Sequence, residues 1–199
     1  MHATSKNVLF VALSVTLLVL ALSLSALALA EQPWYLSDHS SGHSRPSRDS
    51  SPLIDKVRKA TARFRDINVA LGETWVRGTP CVSGPEAGAM GVHFILPSRV
   101  GDGVLNANEP EALIYEPLPG GAFRLVGVEF IVLADDWARL NPGGATPSLD
   151  GHLTHFVEAP NRYGLPAFYE LHVWAWENNP KGSFADWNTQ VSCEKQSGE

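Results

Sequence analysis

Hydrophobic and polar positions divide the 199-residue chain into four stretches. From Val8 to Leu29 every residue is apolar except for Ser and Thr, with Lys6 ahead and Ala28-Leu29-Ala30 at the end. That arrangement predicts a secretory signal over residues 1–30, cleaved before Glu31 at the small-residue site. Twenty-two such residues could also cross about 30 Å of hydrocarbon as an uncleaved anchor. No Cys follows the apolar run, so lipid attachment there is excluded, and either way the remainder sits outside the cytoplasm. Residues 31–52 read as a flexible linker. The stretch 36–52 holds seven Ser, two Pro and almost nothing apolar, too little burial to offset the entropy of ordering.

The rhythm then becomes helical. Leu53, Ile54, Val57, Ala60, Phe64, Ile67 and Leu71 recur at steps of mostly three and four, one apolar stripe. Ser51 suits the N-cap and Pro52 the first helical position. Gly72 suits the C-terminal stop. The spacing predicts a continuous rod about 30 Å long. Asp55, Lys56, Arg58, Lys59, Arg63, Arg65 and Asp66 form its solvated face.

From residue 73 the chain breaks into short runs separated by Pro and Gly. Strands are expected at Thr74–Val76, Gly91–Leu96, Ala112–Glu116, Phe123–Leu133, His155–Glu158 and Phe168–Trp176. PLPGG after Glu116 makes a hairpin turn, and Arg139–Pro147 a loop. No second long helix is expected, so parallel crossovers are excluded and the sheet is antiparallel. The fold class is α+β. One N-terminal amphipathic helix packs on a curved antiparallel sheet or partial barrel, in a single domain over 53–199.

Alternation along the strands locates the candidate chemistry, because successive side chains face opposite sides. Val92, Phe94 and Leu96, then Val126, Val128, Phe130 and Val132, then Tyr169, Leu171, Val173 and Ala175 are apolar sets that share a core. His93, Glu129, Glu170 and His172 then fall on the other face, with Ile95, Leu125, Ile131, Phe168, Trp174 and Trp176. Imidazole and carboxylate groups among large apolar side chains need a partner or a cation. His93, Glu129 and His172 are the candidate ligands for a divalent metal such as zinc. Glu170, Trp174 and Trp176 are candidates for contacting a small ligand. Gly127 beside Glu129 is read as leaving room for that ligand. A cross-strand ion pair with no cation explains the same residue types. His152 and His155 form an H-x-x-H of unknown relative direction. His39 and His43 belong to the solvated linker, and Asp102–Glu109 reads as a polar loop.

The net charge of −6 excludes bulk attraction to nucleic acid and to anionic lipid. No membrane association is expected beyond the signal segment. No phosphate loop, dinucleotide fingerprint, nucleophile elbow or H-E-x-x-H occurs. Cys81 and Cys193 are the only two cysteines. In an exported chain they are expected to form one disulfide.

ATARFRDINVAL (60–71), PCVSGPEAGAMGVHF (80–94), PEALIYEP (110–117), RLVGVEFIV (124–132) and LHVWAWENNPKGSFADWNTQVSC (171–193) together resemble an uncharacterised family of exported bacterial proteins. The resemblance implies an exported single domain containing the helix and both Cys positions. It implies no activity. At Asn188-Thr189 the chain departs from the family's Asn-Pro, which bears on a turn. The expectation from sequence is thus a small periplasmic or secreted domain that binds a divalent metal or a small polar ligand on one sheet face. The alternatives are a metal-dependent extracytoplasmic enzyme and a structural or interaction protein of the envelope.

Overall fold

A computed structural model describes residues 51–84 and 86–196. The expected signal segment, the expected linker through residue 50, His39 and His43 lie outside the described residues. The fold is mixed α/β, with a mostly antiparallel sheet and a few helices.

The helical stripe is not one rod. Helix α1 spans Pro52–Thr61, a single 3-10 turn follows at Ala62–Arg65, and α2 spans Ile67–Leu71. Asp66 breaks the run in an extended conformation, and its carboxylate accepts from the Asn68 backbone N–H as an N-cap. Local side-chain capping thus competes successfully with helix continuation. The break leaves the Phe64 carbonyl free to accept from the buried Tyr115 hydroxyl at 2.7 Å. Its cost is that Leu71, an expected stripe residue, is exposed. Gly72 ends α2 in right-handed geometry, not the left-handed stop expected for a C-terminal glycine.

The sheet uses β1 (Val76–Arg77), β2 (Val82–Gly84), β3 (Gly88–Ile95), β4 (Ala112–Pro117), β5 (Phe123–Leu133), β8 (His155–Val157) and β9 (Phe168–Val173). The order is β1-β3-β4-β5-β9-β8, every pair is antiparallel, and β2 joins the same edge of β3 as β1. A separate two-stranded ribbon joins β6 (Ser148–Leu149) to β7 (His152–Leu153). The β4–β5 hairpin closes through 118–122, with Leu118 N–H donating to the Ala122 carbonyl. Two short helices, α3 (Pro97–Val100) and α4 (Ala134–Leu140), occupy segments expected to be loop or left unassigned.

One sheet face carries the main core: Leu53, Ile54, Val57 and Phe64 pack with Val92, Phe94, Leu113, Tyr115, Val128, Phe130, Leu171 and Val173. Strict alternation places most of these correctly and fails at two points. Ile114 pairs with Gly127 while Tyr115 pairs with Leu125, so Val126 is an extra residue. A bulge reverses facing beyond itself. Leu125 therefore joins the main core, and Val126 packs on the opposite side with Ile114 and Trp174. Near the end of β9, Ala175 N–H turns back to the Val173 carbonyl, and Trp176 and Glu177 N–H both donate to Val126. Trp176 is thereby carried to the helix side, where its indole N–H donates to Thr61.

Cys81 and Cys193 form a disulfide across a separation of 112 residues, tying the C-terminal tail to the strand edge. A structural disulfide fits a compartment outside the cytoplasm. Among the described residues no helix is long and apolar enough to cross a membrane.

Candidate functional site

The opposite face of the sheet carries two small apolar clusters with a polar patch between them. Ala89, Ile114, Val126, Trp174 and Val191 form one cluster; Val100, Ala112, Ile131 and Phe168 form the other. His93, Glu129, Glu170 and His172 are all buried on this face. Register explains their meeting. Glu129 on β5 sits directly opposite His172 on β9, and Ile131 opposite Glu170. His93 on β3 is one strand further away, across β4. It pairs with Ile114 while Glu129 pairs with Ala112. The methyl of Ala112 is small enough for the imidazole to reach diagonally over β4. His93 Nε2 lies 3.3 Å from Glu129 Oε2. The two imidazoles meet edge to face, with centroids 5.8 Å apart.

His93, Glu129 and His172 each present one ligand atom within 4.8 Å of the others, so the trio predicted from alternation converges. A supporting contact comes from Thr79, which sequence reasoning missed. Its hydroxyl accepts from the His93 backbone N–H and lies 3.2 Å from His93 Nδ1. If Nδ1–H donates to that hydroxyl, Nε2 carries the lone pair that points at Glu129. This is the tautomer a metal requires, held by an outer hydrogen bond as metal-bound histidines usually are.

His172 is 1% exposed, and neither of its ring nitrogens has a hydrogen-bond partner. Glu170 Oε2 is likewise buried and unpartnered. Burial holds both imidazoles neutral, lowering His93 to about 4 and His172 to about 3. Burial also pushes Glu129 well above the usual carboxylate range, and the adjacent Glu170 adds to the effect. Glu170 is raised for the same first reason, opposed by its hydrogen bond to Glu129. The face therefore holds two neutral imidazoles beside a pair of carboxyls that burial shifts toward the protonated form. A divalent cation would take up the imidazole lone pairs and displace the carboxyl proton.

A cavity of about 60 Å³ adjoins His93 and Glu129, lined also by Thr79, Ile131, Tyr163 and Phe168. A water needs roughly 10–15 Å³ by this measure, so the space is large enough for an ion with a few waters.

The other expected site residues divide. Trp174 packs beside the patch, its ring nearly parallel to His172 with centroids 6.2 Å apart, and its indole N–H donates to the Ala185 carbonyl. Trp176 points away and cannot contact a ligand here. The space at Gly127 is also filled: a Cβ there would lie 2.8 Å from the Val173 carbonyl oxygen and 3.4 Å from Trp174. That glycine permits close packing of β9 and leaves no room for a ligand. His152 stacks on Phe184, whereas His155 pairs with Asp186, so the H-x-x-H does not act as a unit. Asp186 lies in an aperiodic segment, where alternation carries no signal. The buried Glu111 is a further surprise: it precedes β4, and its carboxyl accepts from the Ile131 N–H.

Comparison with protein-family models, curated proteins and solved structures gives no match.

Proposed function

We propose that this chain is a small extracytoplasmic domain that binds a divalent first-row cation, such as zinc, at His93, Glu129 and His172. The observation that carries the reading is His172, a buried imidazole whose two nitrogens have no hydrogen-bond partner although its ring lies beside another imidazole and a carboxyl. Buried polar atoms are nearly always satisfied, and exceptions point to a missing ion or a functional role. Mixed imidazole and carboxylate donors suit zinc and its neighbours. Three protein ligands leave a fourth position for a water or a small anion.

The 3.3 Å contact between His93 and Glu129 favours a second reading, a buried cross-strand hydrogen bond with no cation. That reading accounts for two of the residues and leaves His172 and Glu170 unexplained. Turnover that depends on the bound ion would extend the binding reading to an enzyme. Export by cleavage before Glu31 belongs to the same proposal. It is supported by the apolar leader with its small-residue end and by the Cys81–Cys193 disulfide.

Thermal melts of wild type and Glu129→Gln test the reading, with chelator and with added zinc. The cation reading expects zinc to raise the wild-type melting temperature, chelator to reverse this, and Glu129→Gln to lose most of the response. A wild-type melt indifferent to both reagents would end it.

A further inference from the structure

A second group of ligating side chains borders the first. His155 on β8, Glu170 on β9 and Asp186 each offer a ligand atom, and these lie within 4.8 Å of one another. Pairing places His155 directly across from Glu170, and His155 Nδ1 is 3.2 Å from an Asp186 oxygen. Glu170 is 4% exposed, and its Oε2 has no hydrogen-bond partner, so a buried and unsatisfied carboxyl oxygen belongs to this group. The two groups touch twice. The Glu129 and Glu170 carboxyls adjoin one another, and Asp186 Oδ1 lies 3.8 Å from His172 Nδ1.

Surroundings differ sharply between the two. The first trio is wholly buried, with His93 and Glu129 beside the small cavity. The second opens to solvent: the His155 side chain is 73% exposed and that of Asp186 27%. A wider groove of about 480 Å³ runs along it, lined by His155, Glu170, Asp186, Lys181, Phe184 and Trp187.

We propose that His155, Glu170 and Asp186 form a second divalent-cation site, so that the sheet face holds a pair of adjacent ions with Glu129 and Glu170 between them. This deepens the reading of a cation at His93, Glu129 and His172, and rests on it for the pairing of the ions. One imidazole and two carboxylates are a hard, oxygen-rich set that suits zinc or manganese. Glu129 belongs to the first group and Glu170 to the second, so each carboxyl can serve one ion. The division of labour follows from exposure. The inner ion is closed in by protein, and the outer ion keeps open positions toward the groove. An anionic group of a small molecule can reach the outer ion there, with the Lys181 ammonium and the Phe184 and Trp187 rings along the same groove.

The test is zinc stoichiometry, measured by elemental analysis of the full chain after loading with zinc and desalting. Wild type is compared with the double variant His155→Asn, Asp186→Asn and with the double variant His93→Asn, Glu129→Gln. In the first variant His155 is exposed and Asp186 partly exposed, and circular dichroism checks that both variants are folded. The expected result is two zinc ions per chain in wild type and one in each variant. One ion in wild type, retained by the His155/Asp186 variant and lost by the His93/Glu129 variant, overturns the second site and leaves the first standing. One ion with the opposite dependence supports the outer site as a lone cation site and overturns both the inner site and the pairing. No bound zinc, or two ions unaffected by either variant, overturns the proposal.

Discussion

Replacing His172 with Leu, a side chain of similar volume, should make the metal-free protein more stable. The ring is fully buried on β9, and both of its nitrogens lack hydrogen-bond partners. A buried polar group left unsatisfied costs about 1–3 kcal/mol, and leucine removes that cost without opening a cavity. Asp186, which loses its neighbour at 3.8 Å, is partly solvated and suffers little. The variant should therefore gain about 1–3 kcal/mol in chelator, a melting-temperature rise of roughly 2–10 °C for a domain of this size. Zinc works against this difference. At a free concentration 100-fold above its dissociation constant, an ion held by His172 adds about 2.7 kcal/mol to wild type, and the variant forfeits that increment. Urea titrations followed by circular dichroism, in chelator and in zinc, measure both differences. A variant that is less stable than wild type by more than about 1 kcal/mol in chelator would show that His172 is satisfied without a metal. Equal zinc responses would show that the ion binds elsewhere.

Other parts of the fold make separate predictions. Phe64→Ala removes a buried ring that contacts Trp75 edge to face and should cost about 3–5 kcal/mol in urea titrations; a loss under about 1 kcal/mol would contradict its core placement. Glu111, raised by burial to about 8, stabilises the fold in its protonated form. Its contribution is complete below the ordinary carboxyl range near 4.5 and is lost as pH rises through 8, on the order of 3–5 kcal/mol in total. Glu111→Gln keeps an acceptor for the Ile131 N–H and should flatten the decline in stability between pH 5 and 8.5; an unchanged slope would place that decline in other groups. Converting both cysteines to Ser opens a loop spanning 112 residues and should cost up to about 4.7 kcal/mol, read from the shift in urea midpoint. Intact mass of the exported protein should begin at Glu31; retention of residues 1–30 would mean an anchor.

Period-2 alternation was enough to bring His93, Glu129 and His172 to one face, because β3, β5 and β9 are regular where those residues sit. Their convergence was not legible, since strand order is absent from the pattern and the small Ala112 that opens the path between His93 and Glu129 looks like any other strand residue. Alternation failed where the backbone leaves the ladder. The extra residue Val126 exchanges the faces of Leu125 and Val126, and the turn at Ala175 carries Trp176 to the helix side. The helical stripe was also overread: Asp66 has the polar character expected of the outer face, and its capping bond divides the rod. Gly127 illustrates a different limit. Absence of a side chain marks close approach, but the approaching group is β9 with Trp174. Thr79, Glu111 and Asp186 act from positions outside the long strands, where periodicity assigns no direction.

The most direct measurement is a crystal structure of the zinc-loaded protein with anomalous scattering recorded at the zinc edge. The expected result is an anomalous peak bonded to nitrogens of both His93 and His172 and to a Glu129 carboxylate oxygen, at about 2.0–2.2 Å. A zinc-loaded crystal with no peak at these residues, and with His93 Nε2 still in direct contact with Glu129, would contradict it.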